Sequence, residues 1–131
     1  MQVFEITRWL WRPGYFAMAI AIFIATGSLM PAEDAQLLPG SDFSHHAIAY
    51  GVLSFFALLA ATGKLKPGIV LLGVLVFGAT LECIQPFFGR VFDSSDVIAN
   101  AVGIVVGLGA AIGLRGVVQR LIPRQWLYGL D

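Results

Sequence analysis

The chain has 131 residues, of which 58% are apolar and only 12% charged, and its mean hydropathy is +0.84. A water-soluble domain carries roughly 45–50% apolar and ~25% charged residues, so water is not the principal solvent here. Eight basic residues balance eight acidic ones, which leaves no basic excess of the kind that tracks phosphates, and no nucleic-acid partner is expected.

A membrane-spanning helix needs about 20 mostly apolar residues, because a rise of 1.5 Å per residue must cross roughly 30 Å of hydrocarbon. Four segments are predicted to do so. The first covers about residues 15–30, opened by Pro13-Gly14 and ended by Pro31, with no charge between Arg12 and Glu33. Arg8 and Arg12 ahead of an apolar run also fit a secretory leader, but three further spans follow and no A-x-A site closes the segment, so a span is expected.

The second segment covers about 44–62, between Asp42 and Gly63-Lys64. The third follows Pro67 and covers 68–88, with Glu82 and Gln85 interrupting its last two turns. Cys83, the single cysteine, reads as a small packing residue. The fourth covers 96–114 and carries Gly103 and Gly107 as a GxxxG pair, followed by Gly109 and Gly113. In lipid such small residues let helices pack closely, with a partner in this chain or another. Residues 115–131, with Trp126 and Tyr128 near Arg120 and Arg124, read as an interfacial segment. The expectation is an all-α, four-transmembrane-helix bundle forming one integral membrane domain over residues 1–131.

Basic residues in short loops mark the cytoplasmic side. Arg8 and Arg12, Lys64 and Lys66, then Arg115, Arg120 and Arg124 all fall on one side of a four-span topology, which makes the N and C termini cytoplasmic. Glu33, Asp34 and Asp42, then Arg90, Asp93 and Asp96, fall on the other.

That outer side collects the polar residues that solvation alone does not explain. Asp42, His45, His46 and Tyr50 open the second helix, Glu82 and Gln85 close the third, and Arg90 to Asn100 lead into the fourth. Spacings of three and four put His46 with Tyr50, Glu82 with Gln85, and Asp96 with Asn100, Gly103 and Gly107 each on one face. A charge at the centre of a spanning helix costs about 2.5–3.5 kcal/mol, less towards the interface. Glu82 therefore calls for a partner, Arg90 or His46.

Several chemistries fit this set. Arg90 suits a phosphate or carboxylate held in a bidentate way, and Phe87, Phe88 and Phe92 offer an apolar floor for a lipid chain. Asp96 fits a helix N-cap, and Asn100 a hydrogen bond between helices. His46 is an interfacial histidine, a general acid or base, or a metal ligand. His45 points about 100° away from it on a helix, so the two are poor joint ligands. With Asp42, Glu82, Asp93 and Asp96 nearby a divalent cation is chemically feasible, but no H-E-x-x-H or Cys/His spacing points to one. No metal or cofactor is assigned.

Glu82 and Gln85, Arg90, then Asp96, Asn100, Gly103 and Gly107 read as E-x-x-Q, R, D-x-x-x-N-x-x-G-x-x-x-G. Asp42, His46 and Tyr50 match an upstream D-K-x-x-H-x-x-x-Y, with Phe43 in place of the lysine. Over about residues 42–107 the chain thus resembles the VanZ-like family of small bacterial membrane proteins. The resemblance implies a four-helix domain in a bacterial cytoplasmic membrane and a cell-envelope context, one member being tied to glycopeptide-antibiotic resistance. It implies no established reaction. Phe43 removes the cation expected beside Asp42, and Arg90 is the alternative.

Two functional readings follow. In the first, Asp42, Tyr50, Gln85, Arg90, Asp96 and Asn100 bind the head group of a membrane lipid or lipid-linked envelope precursor, and His46 and Glu82 are the acid–base candidates for any reaction. In the second, the same residues fix the bundle, and the glycine stripe docks on a membrane-protein partner or a second copy of the chain. A small transporter is a weaker third reading, because no charged residue falls near the bilayer midplane.

Overall fold

The computed structural model describes residues 13–31, 41–61 and 66–121, apart from the side chain of Gln119. Four α-helices occur among them: α1 (Pro13–Ser28), α2 (Asp42–Ala60), α3 (Pro67–Ile84) and α4 (Ser94–Leu121), with a 3₁₀ turn at Gln85–Phe88 prolonging α3. No strand occurs among the described residues. Helix α2, helix α3 with its 3₁₀ turn, and helix α4 are long and apolar enough to cross a membrane. Helix α1 has 16 residues, about 24 Å of helix, and falls short of that length.

Local chemistry sets where the helices begin and end. The Ser41 hydroxyl oxygen accepts the Ser44 N–H at 3.3 Å, so α2 starts at Asp42 rather than near residue 44. Pro67 opens α3, where its missing N–H is not needed. Pro86 has no N–H to continue the helical ladder, so α3 tightens into the 3₁₀ turn at Gln85 instead of running on as α-helix to residue 88. Gly89 ends that turn at φ 77, a left-handed conformation that glycine adopts without a steric penalty.

At its far end α4 continues to Leu121, so the fourth helix runs past its expected end at residue 114. The physical reason is an added contact: the Arg115 guanidinium donates to the Leu58 carbonyl at 2.6 Å, where a cation suits the C-terminal end of α2. Arg124, Trp126 and Tyr128 lie outside the described residues, as do Arg8, Arg12, Glu33, Asp34 and Lys64.

Helix α2 packs against each of the other three, most extensively against α4. The contacts of α2 with α4 advance together along both helices, from His46 with Asn100 through Gly51 with Gly103 to Leu58 with Arg115. The two helices are therefore parallel, and α3 runs antiparallel between their ends. Helix α1 lies along α2, with Phe16 stacked on Phe56 at 5.4 Å between ring centroids.

The apolar core comprises Ile24, Tyr50, Leu53, Val74, Leu81 and Ile104. Large apolar side chains also point outwards, Phe23 and Val105 being 75% and 66% exposed, as expected where the surrounding solvent is lipid tails. Cys83 belongs to this outward set rather than to the packing.

Gly103 and Gly107 explain how α2 and α4 come so close. A Cβ on Gly103 would collide with the Ala47 carbonyl, and one on Gly107 with the Ser54 hydroxyl and the Gly51 carbonyl. The GxxxG face is thus spent on α2 within the same chain. Even Gly103→Ala should separate the helices, at a cost of about 1–3 kcal/mol, seen as a lower melting temperature in mild detergent. Gly109→Ala, where nothing lies within 4 Å, should leave that temperature unchanged or raise it.

Candidate functional site

The start of α2, the end of α3 and the start of α4 meet at one end of the bundle. Among the described residues, the five largest side chains with under 2% exposure are Tyr50, Gln85, Glu82, Asn100 and Ser54. Four of the five are polar, in a molecule whose outer faces are apolar, so the usual distribution is inverted at this point.

His46 lies one turn into α2 and is 11% exposed. Its Nδ1 is 3.0 Å from Asn100 Oδ1 across the helix pair and 3.6 Å from Glu82 Oε1. Its Nε2 is 3.6 Å from Asp96 Oδ2. The imidazole ring lies nearly parallel to that of Tyr50, at 6.3 Å and 10°, and Tyr50 meets Phe77 on α3 at 6.3 Å. One histidine therefore faces groups from all three helices, in an orientation set by Asn100 and Tyr50.

Glu82 is 1% exposed. Its Oε1 accepts from Gln85 Nε2 at 3.3 Å, while its Oε2 has no hydrogen-bond partner among the described residues. Holding a carboxylate away from water costs several kcal/mol per ion unless it is paired, and Asp96 adds a second one beside the same imidazole. With all three groups ionised the set is negative overall. Glu82, Asp96 and one nitrogen of His46 place their ligating atoms within 4.8 Å of one another.

Asp96 is not the N-cap of α4. Asp93 takes that place, its Oδ1 accepting the Ser95 N–H at 2.8 Å, and this bond holds the Asp93 carboxyl below its ordinary range. Asp96 is left in the first turn, buried, with its carboxylate turned to His46.

The 3₁₀ turn folds Arg90 back over the cluster, its N–H donating to the Gln85 carbonyl at 3.2 Å. The Arg90 side chain is half-buried, lies within electrostatic reach of Glu82 and Asp96, and forms no ion pair with a described residue. Glu82 thus has His46, not Arg90, as its close partner. Asp42 is exposed and stands outside the buried group, and Phe43 beside it is 42% exposed. Gly103 and Gly107 serve the helix contact beneath.

Two contributors escaped the sequence reading. Ser54, fully buried, lies 3.1 Å from the Gly51 carbonyl and 3.5 Å from that of Ile104 on α4. Gly78 faces the Asn100 amide and the Tyr50 ring, and a Cβ there would fall 2.8 Å from each. Both were within reach of a spacing argument, since Ser54 is four residues beyond Tyr50 and Gly78 four before Glu82.

Apolar spanning helices that enclose a histidine between two buried carboxylates define a helical membrane protein with a polar site at one end. The family model described as VanZ/LLP1 matches residues 4–116, and the chain belongs to that family. No curated protein and no solved structure matches it.

Two measurements check this geometry. Because His46 and Asn100 share one bond, their alanine substitutions should be non-additive, with a coupling of about 0.6 kcal/mol and at most ~1.7 in a double-mutant cycle read by unfolding. Asp93 carries a lowered pKa, so its stabilising effect is present above the unfolded value and lost as pH falls through the folded one. The melting-temperature advantage of wild type over Asp93→Ala should therefore shrink below about pH 4.

Proposed function

We propose that this chain is a four-span protein of a bacterial cytoplasmic membrane whose cluster binds the head group of a lipid or lipid-linked envelope precursor at the outer face. The observation that carries this reading is Glu82, a fully buried carboxylate with one oxygen unpartnered among the described residues where three helix ends meet. Buried polar groups normally find partners, and an unsatisfied one at a helix-end cluster is the mark of a ligand contact.

Charge placement supports the orientation. Lys66 precedes α3 and Arg115 bonds the end of α2, both at the end opposite His46, which the positive-inside rule makes cytoplasmic. Helix α1 completes the fourth span with its last turn, where the Leu29 and Met30 N–H groups still donate to Ala25 and Gly27, and slight bilayer thinning accommodates its length.

The division of labour follows from sign. Two carboxylates repel a phosphate from the deep part of the site, so phosphate belongs on Arg90 at the rim. Glu82, Gln85, Asn100 and His46 then take the hydroxyl or ammonium groups of the head group. Phe87, Phe88 and Phe92, 85%, 50% and 48% exposed, lie where the lipid chain would run. If a reaction accompanies binding, His46 and Glu82, 3.6 Å apart, are its acid–base pair.

The second reading is a structural network, supported by the His46 to Asn100 bond between α2 and α4. With Gly103 and Gly107 already against α2, a partner membrane protein or second copy would have to use another face. Native mass spectrometry of wild type and Arg90→Ala in mild detergent separates the readings. Head-group binding predicts a lipid retained by wild type and lost from a variant that melts at the same temperature. Equal retention by both, or a variant that simply unfolds, counts for the network.

A further inference from the structure

With His46 neutral, the cluster contains two electrostatic contradictions that no other described side chain resolves. Asn100 Oδ1 accepts from His46 Nδ1 at 3.0 Å, which leaves the lone pair of the neutral imidazole on Nε2. That nitrogen faces Asp96 Oδ2 at 3.6 Å, so two electron-pair donors confront each other. Glu82, nearer Nδ1, brings a second buried carboxylate, one of whose oxygens has no hydrogen-bond partner among the described residues. A cation resolves both.

We propose that His46, Glu82 and Asp96 bind one divalent transition-metal ion. The inference rests on the cluster itself and stands without the head-group reading. Metal bonds of about 2.0–2.2 Å place neighbouring donors of a four-coordinate ion about 3.4 Å apart. Asp96 Oδ2 lies 3.6 Å from Nε2, Glu82 Oε1 lies 3.6 Å from the other ring nitrogen, Nδ1, and one donor atom from each residue falls within 4.8 Å of the other two, so Glu82 would close in on the ion at Nε2. One imidazole and two carboxylates form a nitrogen–oxygen set suited to Zn²⁺ or Mn²⁺, and less to the hard Ca²⁺, which prefers six to eight oxygens.

Supporting contacts of the kind found around bound metals are already in place. Asn100 orients the imidazole through its other nitrogen, and Gln85 Nε2 bonds the Glu82 carboxylate at 3.3 Å. Three protein ligands leave a fourth position for an oxygen from water or a bound molecule. The ion also reverses the sign of the deep site, so that an anionic oxygen becomes acceptable there as well as on Arg90.

The test uses tag-free, delipidated full-length protein treated with chelator, then titrated with Zn²⁺ alone and Mn²⁺ alone by calorimetry. One ion per chain is expected, with affinity weakened at least tenfold in Glu82→Gln and in Asp96→Asn, and unchanged in Thr26→Ala, whose hydroxyl bonds within α1. Circular dichroism verifies that the variants are folded. Should they unfold, wild type loaded with Co²⁺ decides: visible absorption of a four-coordinate nitrogen–oxygen site supports the proposal, and its absence overturns it. No binding, or binding indifferent to both substitutions, also overturns it. Lipid retained by metal-free protein would leave the head-group reading standing on its own.

Discussion

Everything at the polar end depends on the close parallel contact of α2 and α4. Gly103 and Gly107 let the Ala47 and Gly51 carbonyls of one helix approach the backbone of the other, and only at that separation can His46 reach Asn100 and Asp96. A bilayer gives little hydrophobic reward for bringing helices together, so van der Waals contact and inter-helix hydrogen bonds must supply it. The glycines contribute the first, and His46, Asn100 and Ser54 contribute the second.

Helix α3 completes the arrangement from the opposite direction. Its approach at Gly78 admits the Tyr50 ring and the Asn100 amide, which brings Glu82 one turn later level with His46. Pro86 and Gly89 then end the helix tightly enough for Arg90 to return over Gln85. The cluster is thus a consequence of helix register, with each member supplied by a helix end and none by a long loop. Rigid elements position such a site more precisely than loops do. Its cost is two carboxylates withdrawn from water beside one imidazole, a combination that favours a bound cation or hydrogen-bond donors.

The fold was legible in the sequence because long uncharged runs have few solutions in lipid, and the helical class follows from the need to satisfy every backbone polar group. Helix ends were less legible. Pro86 was visible in the sequence, yet its conversion of the last turn of α3 to 3₁₀ was not anticipated, and nothing in the sequence marked Arg115 as the partner of the Leu58 carbonyl. Among the site residues, spacing along single helices placed His46 with Tyr50 and Glu82 with Gln85. It could not tell whether Arg90 or His46 meets Glu82, because that depends on the register between helices. It also offered Asp96 as one candidate for the cap of α4, three residues from the residue that performs it.

The most direct test asks whether the buried carboxylate is held for a ligand or for the bundle, through the melting temperature of chelator-treated, delipidated Glu82→Gln against wild type. The amide keeps the shape and an oxygen for Gln85 while removing a buried carboxyl group beside Asp96. A site maintained for binding at the expense of stability predicts an unchanged or higher melting temperature. A fall of several degrees, about 1 kcal/mol or more for a domain of this size, would show that the Glu82 carboxyl group holds the helices together and would contradict the ligand-binding reading.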